Sequence, residues 1–263
     1  MTQPSLFLSH GAPDLALADS PARRFLQDLG RRLGRPDAIV IASAHHEAPG
    51  PAVRAPERFT TWHDFGNFDP RLFDLRYEPP GSGALGEEVA ALLSAAGLQP
   101  VRDESDSMDH GAWVPLSLLF PEADVPVVMV SVDPRQGSRW HEGVGRALAP
   151  LRARNILLIG SGSISHNLRA IFSSHPGEDR AWVDRFTSWL EAAVRSGDRP
   201  ALLSAMETAP DAARNHPTDE HLLPFYFALG AGGEGSAGTR LHHSYTHELL
   251  AMDSYAFGGT EAA

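Results

Sequence analysis

The sequence predicts an α/β fold in which helices cover both faces of a parallel or mixed β-sheet. Strand-like and helix-like segments alternate along the chain, which is typical of such folds. The strand-like segments are short and almost wholly apolar, as expected for strands that are buried on both faces. They lie at residues 5–9, 38–44, 125–132 and 155–161. The helix-like segments between and after them lie at residues 20–34, 84–98, 139–154 and 179–197.

The boundaries of the first elements are clearest. The strand SLFLS is followed by a helix at 20–34, which begins with Ser20 and Pro21 and ends on Gly34, all common start and stop signals. The second strand, AIVIASA, comes next. The stretch from 46 to 83 is rich in Pro, Gly and aromatic residues and has little periodicity, so we predict a long functional loop there.

The later part of the chain continues the alternation. The runs VPVVMVSV and NILLIGS predict two more buried strands, each followed by a helix. The segment 238–259 could supply one or two antiparallel edge strands. No linker-like composition divides the sequence, so we predict a single domain over residues 1–263.

Composition excludes several classes of protein and site. The formal charge of −11 argues against a nucleic-acid or anionic-membrane partner, since both favour a basic surface. No apolar run approaches the roughly 18–20 residues of a membrane span, and no basic leader precedes the first apolar run, so a cytoplasmic location is expected. Cysteine and lysine are both absent, which excludes thiolate nucleophiles, Cys-type zinc sites and lysine Schiff bases. The 13 histidines stand out, because histidine is the commonest metal ligand and a proton carrier near neutral pH.

Several histidines follow the predicted strands. His10 comes after the first strand, His45 and His46 end the second, and His166 lies just past the fourth. Ligands bind outside the carboxyl ends of the strands in open α/β sheets, so three strands bring imidazoles to one edge. Neighbouring residues of a strand point to opposite faces. Only one of His45 and His46 can therefore face a shared site, and this pattern leaves open which one.

Two further segments contain candidate site residues. In NHPTDEHLLPFYFALG we predict a helix that is capped by Thr218 and ends at Gly230. His221 would lie in its first turn, where the helix dipole favours the neutral imidazole that a metal requires. In the segment DHG, we expect Asp109 and His110 to precede a glycine turn. Taken one at a time, each of these histidines is more often a structural residue than a ligand.

Six motifs in order carry a resemblance to a known family. They are SHGAP, SAH, FDPRLFDLRYEPPGS, DHGAWVPL, SGSISHNL and HPTDEHLLP. Together they resemble the class III extradiol ring-cleavage dioxygenases, and specifically the 4,5-DOPA extradiol dioxygenase branch. The resemblance extends from about residue 5 to the FG pair near residue 258. It implies a three-layer α/β sandwich around a central sheet.

The resemblance also implies roles for individual residues. Histidines at the positions of His10, His45 and His221 hold a non-haem metal in that branch, which favours His45 over its neighbour. His166 resembles the active-site acid–base residue, which is close enough to the metal to be counted sometimes as a ligand. His110 resembles a histidine that contacts the ring oxygens of the substrate.

The segment TWHDFGNF departs from the family pattern, because His63 stands where relatives tend to have an aromatic residue. We expect this loop to line the substrate pocket. His63, Phe65 and Trp113 are therefore, with His110, the candidate substrate-binding residues.

The implied ligand set consists of three neutral histidines, with Glu220 beside the position where distant relatives have a carboxylate ligand. Such a set suits Fe(II), which we expect as the catalytic metal, and also Zn(II). The expected reaction inserts O₂ into a catechol ring next to the diol, with L-DOPA cleaved at the 4,5 bond to a product that cyclises to betalamic acid. A zinc-dependent hydrolase or lyase and a non-enzymatic metal-binding relative are the alternatives. The physiological catechol, the metal of the isolated protein and the choice between monomer and homodimer are left open.

Overall fold

The fold is built on one mixed sheet of eight strands. The computed structural model describes residues 2–173, 177, 179–233, 235 and 237–259. The strands are β1 Ser5–Ser9, β2 Ala38–Glu47, β3 Ala52–Arg54, β4 Thr60–Thr61, β5 Val101–Asp103, β6 Ser107–Met108, β7 Val127–Val132, β8 Ile156–Gly162, β9 Gly238–His242, β10 Tyr245–Thr246, β11 Leu250–Ala251 and β12 Ser254–Phe257. The main sheet has the order β5-β3-β7-β2-β8-β1-β12-β9, and the remaining strands form the pairs β10–β11 and β4–β6.

Parallel pairing dominates the centre of the sheet. Strands β7, β2, β8 and β1 are mutually parallel neighbours, whereas β3 runs antiparallel to β7. Strands β12 and β9 extend the sheet beyond β1 in antiparallel pairing. The predicted tail strands are thus present, although only β9 lies at the edge. The central strands are buried along nearly their whole length, which explains their unbroken apolar sequences.

Helices cover both faces of this sheet. They are α1 Pro21–Leu33, α2 Gly83–Ala95, α3 His110–Leu119, α4 Ser138–Leu148, α5 Leu168–Ser173, α6 Ala181–Ser196, α7 Arg199–Leu203, α8 Ala205–Thr208, α9 Ala212–Asn215 and α10 Leu223–Ala231. Short 3₁₀ helices lie at Pro13–Ala16, Pro70–Asp74 and Ala149–Arg154.

The two faces of the sheet support separate apolar cores. Alternate residues of β2, such as Ile39 and Ile41, pack in one core with α1, α3 and α6. Their neighbours Val40 and Ala42 pack in a second core with α2 and α4. Helix, sheet and helix therefore form three layers, and the predicted α/β sandwich is confirmed. Among the described residues, no helix is both long and apolar enough to cross a membrane.

Three local predictions were wrong. The supposed loop at 46–83 contains β3, which pairs with β5 and β7 in the main sheet. Strand β2 extends three residues beyond the predicted segment 38–44, through His45 and His46 to Glu47, with an irregular register against β7. The glycine of DHG does not form a turn, because Asp109 caps helix α3 by accepting a hydrogen bond from Ala112 N at 3.2 Å.

The helix predicted to be capped by Thr218 begins only at Leu223, with Leu222 in the capping position. Pro224 explains the difference, since proline has no N–H to donate and fits the first turn of a helix but not its interior. The preceding residues, which include His221, form a turn closed by hydrogen bonds from Leu222 N and Leu223 N to the Asp219 carbonyl. Gly230 lies inside the helix instead of ending it. A glycine is needed at this position because a Cβ would collide with the Glu142 backbone of α4.

Candidate metal centre and substrate cavity

The sheet and its loops bring five histidines to one place. His10 directly follows β1, His45 lies near the end of β2, and His166 lies just after β8. His110 begins helix α3, and His221 lies in the turn before α10. As expected for a parallel sheet, the carboxyl ends of the strands form the floor of the site.

The Nε2 atoms of three imidazoles converge. His10 Nε2 lies 3.2 Å from His45 Nε2, and His221 Nε2 lies 3.3 Å from His45 Nε2. Two nitrogens that bind one metal at about 2.0–2.1 Å, at angles between octahedral and tetrahedral, are separated by roughly 2.8–3.4 Å. The spacing of these three side chains therefore fits a common metal ion.

In His10 and His221, the hydrogen bond made by Nδ1 determines which ring nitrogen carries the proton. The Ser161 hydroxyl donates to the Gly111 carbonyl, so the Ser161 oxygen accepts from His10 Nδ1 at 3.1 Å. His221 Nδ1 donates to Glu220 Oε1 at 2.9 Å. Both rings thus present an unprotonated Nε2 to the centre, as metal-binding histidines do when their second nitrogen has an acceptor.

Burial keeps these three rings neutral. Desolvation, followed by repulsion between the neighbouring imidazoles, lowers the pKa of His10 and of His45 well below the usual value. The same two causes lower the pKa of His221 to about 3. The unprotonated Nε2 atoms of His10 and His221 therefore both face the Nε2 atom of the neutral His45 ring. A bound cation would relieve this arrangement, and neutral imidazole is the form that binds metals.

The adjacent His46 points to the other side of the sheet, as strand alternation predicts. Its Nε2 lies 2.9 Å from Asp103 Oδ2, which also accepts from Arg54 Nε at 2.9 Å. The bond from His46, together with those from Arg54 and the Ser105 backbone, holds the pKa of Asp103 well below its usual range. His46 therefore belongs to a buried polar network behind the sheet and not to the histidine cluster.

His110 is oriented by a carboxylate that the sequence patterns did not single out. Its Nδ1 donates to Asp64 Oδ2 at 3.0 Å, and its backbone N donates to Asp64 Oδ1 at 2.9 Å. The centroid of the His110 ring lies 4.0 Å from that of His45. With the proton on Nδ1, the Nε2 of His110 is the nitrogen that can accept a proton. Asp64 lies in the segment TWHDFGNF, whose departure from the family pattern was the only available signal.

Glu220 links His166 to the cluster. Its Oε1 lies 3.6 Å from His166 Nδ1 and also accepts the hydrogen bond from His221 Nδ1. Burial alone would raise the pKa of Glu220, but hydrogen bonds from His166, His221 and Thr218 keep it well below the usual value. Glu220 is therefore a carboxylate that holds two imidazoles, and it lies beside the three converging nitrogens.

Gly111 allows helix α3 to approach the end of β2. A Cβ at this position would lie 2.9 Å from His45 Cδ2 and would also collide with Ser43 Oγ. The Ser43 hydroxyl in turn donates to Asp109 Oδ1 at 2.5 Å and accepts from His45 N at 3.2 Å. The glycine of DHG thus fixes the position of His45 by close packing.

A cavity of about 350 Å³ opens above the histidines. This volume is within the range of small-molecule sites. The imidazoles on its wall are those of His45, His110, His166, His221 and His247. Its larger apolar side chains are Phe65, Phe68, Leu168, Ile171, Phe172 and Leu250. An apolar pocket with an edge of convergent imidazoles suits a flat aromatic ring with polar oxygens at one end.

The cavity includes some of the predicted substrate contacts. Phe65 and His110 line it, whereas neither His63 nor Trp113 belongs to the described part of the wall. Trp113 is only 1% exposed, and its indole N donates to the Trp62 carbonyl at 3.0 Å. The ring of His63 packs against Phe65 and Trp113, with centroids 5.7 Å and 5.8 Å away. Both residues pack behind Phe65, which itself lines the cavity.

Comparison with known proteins identifies the family. Residues 4–258 match the family described as "Catalytic LigB subunit of aromatic ring-opening dioxygenase". The chain is 36% identical to the 4,5-DOPA dioxygenase extradiol of Beta vulgaris over 260 residues, which cover 97% of both proteins. It is 37% identical to the 4,5-DOPA dioxygenase extradiol of Escherichia coli K12 over 231 residues, covering 87% of this chain and 84% of that protein.

A solved structure shows the same fold. The crystal structure of an uncharacterized protein from Escherichia coli K12 aligns with a TM-score of 0.80 at 31% identity, covering 97% of this chain and 100% of that one. The resemblance predicted from the sequence motifs is therefore confirmed. The chain belongs to the LigB family and is an extradiol, aromatic ring-cleaving dioxygenase.

Proposed function

We propose that this enzyme opens a catechol ring next to its two hydroxyl groups, and that L-DOPA or a closely related catechol is the substrate. The observation that carries the proposal is the convergence of three histidine Nε2 atoms at the floor of an apolar cavity. The substrate is supported by the two relatives named 4,5-DOPA dioxygenase extradiol, which are similar over most of their length.

We further propose that His10, His45 and His221 hold one Fe(II) ion. When bound, Fe(II) supplies the redox chemistry, because it can bind both the catechol oxygens and O₂ and exchange electrons with them. The same three nitrogens would also suit Zn(II), which has no accessible redox change. Zinc in an isolated sample would therefore not identify the catalytic metal.

His110 is the proposed acceptor of a catechol proton. Asp64 holds the proton of His110 on Nδ1, so Nε2 is available to take a proton from a hydroxyl group in the cavity. The carboxylate also stabilises the imidazolium that results. Because Asp64 binds the backbone N of His110 as well, the ring is held at the start of α3 before the substrate arrives.

His166 is the proposed second proton carrier. It lines the cavity beside His221, and Glu220 lies 3.6 Å from its Nδ1. Ring opening requires a proton to be delivered while oxygen is inserted, and an imidazole is suited to this transfer near neutral pH. Phe65 and Phe68 complete the site by packing against the ring and excluding water.

Oxygen uptake by the Fe(II)-loaded protein tests the proposal. L-DOPA, protocatechuate, caffeate and gallate would be compared under air and under anaerobic conditions. We expect uptake with L-DOPA, together with the spectrum of a ring-opened product that cyclises to betalamic acid. Turnover without O₂ would instead indicate a hydrolase or lyase, and binding of catechols without uptake would indicate a non-catalytic relative.

The remaining expectations belong to the same proposal. We propose that residues 1–263 act as a single catalytic domain, in the cytoplasm, as a monomer or homodimer. The partners are a small catechol and O₂, without nucleic acid or membrane. The strongly acidic composition supports this choice of partners, since neither nucleic acid nor anionic lipid favours such a surface.

A further inference from the structure

Among the described residues that line the cavity, one carboxylate has no partner. Glu47 lies two residues after His45 at the end of β2, so it faces the same side of the sheet as His45. It is exposed and lines the cavity. The side chain of Glu47 forms no hydrogen bond or ion pair with any residue that the structure describes.

The other charged groups of the wall are already paired. Glu220 accepts the hydrogen bond from His221, and His247 lies 3.2 Å from Asp14 Oδ2. Among the described residues that line the cavity, none is an arginine, although arginine supplies every basic side chain of the sequence apart from histidine. The described part of the wall thus offers an unpaired negative charge and no permanent positive charge.

From this arrangement we infer that Glu47 binds the ammonium group of the substrate's side chain. The inference rests on the proposed catechol cleavage and narrows its substrate class to catechols that bear an amine. The metal-binding floor would hold the diol end of the ring, and the aromatic side chains would enclose its faces. The substituent of the ring would then extend along the wall toward Glu47, where a cation is stabilised and a carboxylate is repelled.

The inference predicts different roles for the ammonium and carboxylate groups of an amino acid such as L-DOPA. The ammonium group contributes to binding through Glu47. No arginine in the described part of the wall is available to bind the carboxylate. An amine that lacks the carboxylate should therefore bind at least as well as the amino acid. A catechol whose side chain ends only in a carboxylate should bind more weakly than both.

Binding to the zinc-loaded protein tests this inference without turnover. Calorimetry under anaerobic conditions would compare dopamine, L-DOPA, 4-ethylcatechol and dihydroxyphenylpropionate. For the unmodified protein, we expect dopamine to bind more tightly than dihydroxyphenylpropionate. Glu47→Gln should weaken binding of dopamine and L-DOPA about three- to tenfold, the range of a partly exposed, charge-assisted contact. It should leave 4-ethylcatechol nearly unchanged.

Two further variants keep the test decisive. Glu47→Arg should reverse the preference, so that dihydroxyphenylpropionate binds more tightly than dopamine. Glu122→Gln removes the same charge at an exposed position outside the cavity and should change none of the four affinities. If Glu47→Gln weakens all four catechols equally, or none of them, Glu47 does not recognise the ammonium group.

Failure of this inference can be distinguished from failure of the proposed function. If none of the catechols supports O₂ uptake by the Fe(II)-loaded protein, catechol cleavage is wrong, and the affinities still report whether Glu47 selects for a cation. If catechols are cleaved but the affinities do not depend on the charge of the side chain, only the role of Glu47 is wrong.

Discussion

The imidazole of His166 stacks on the imidazole of His221, with ring centroids 3.3 Å apart and ring planes at 15°. The Nδ1 atoms of both rings lie near the same oxygen of Glu220. His221 completes the group of three converging nitrogens, whereas His166 lies alongside it. The stack therefore places the proposed proton carrier next to the proposed metal without requiring that it be a ligand.

His166→Gln should separate these two roles. Glutamine is of similar size and forms hydrogen bonds but cannot carry a proton at neutral pH. We expect the variant to retain near-stoichiometric iron and to bind catechol, while kcat falls about 10²- to 10⁴-fold, the usual contribution of general acid–base catalysis. Steady-state O₂ uptake and elemental analysis give the two readouts. A folded variant that has lost its metal would show instead that His166 is a ligand.

The two adjacent histidines of β2 should differ in their effect on metal content. His45→Ala, like His10→Ala and His221→Ala, removes one of the converging Nε2 atoms and should strongly lower metal affinity. His46→Ala is the matched control, because this ring binds Asp103 on the other side of the sheet. We expect its metal content to stay near one ion per chain. The opposite result, with a metal-free His46→Ala and a loaded His45→Ala, would refute this ligand set.

The identity of the metal should decide activity. Metal-free protein reconstituted with Fe(II) should consume O₂ in the presence of catechol. Protein reconstituted with Zn(II) should bind the same catechols without consuming O₂, because zinc has no redox chemistry to offer. Equal rates of O₂ uptake with both ions, after trace iron has been measured, would contradict the proposed dioxygenase mechanism.

Gly111→Ala should weaken metal binding through His45. Alanine normally stabilises a helix relative to glycine by about 0.5–1 kcal/mol, but a Cβ at position 111 collides with Ser43 and His45. We expect lower metal affinity and a lower melting temperature. Gly143→Ala is the control within helix α4, where a Cβ meets nothing within 4 Å. Unchanged metal affinity in Gly111→Ala would show that the helix can move away without disturbing the site.

Much of the fold could be predicted because its signals are local. The buried strands of the central sheet appear as unbroken apolar runs. The start of α1 can be predicted from two adjacent residues, Ser20 and Pro21. The positions of His10, His45 and His166 at one edge followed from the strands that precede them. The assignment of roles to these histidines came from the family resemblance.

The features that were missed depend on contacts between distant parts of the chain. The carboxylate of Asp64 meets His110 across 46 residues, and His46 meets Asp103 across 57. No local sequence pattern predicts either pair. The error at α10 was different, since two local signals conflicted and Pro224 determined the start of the helix more strongly than the capping residue Thr218 did.

The position of β1 between β8 and β12 has a consequence for how the protein is made. The Ser9 hydroxyl donates to the Asp253 carbonyl at 2.7 Å across 244 residues, so the strand that precedes His10 is completed by one of the last segments to be synthesised. Such long-range pairing forms slowly, because distant segments must first be brought together. His10 and His45 are synthesised early, and we expect them to reach their final positions only after β12 has followed. We therefore expect the proposed metal to bind only after synthesis, so that its uptake would report that folding is complete.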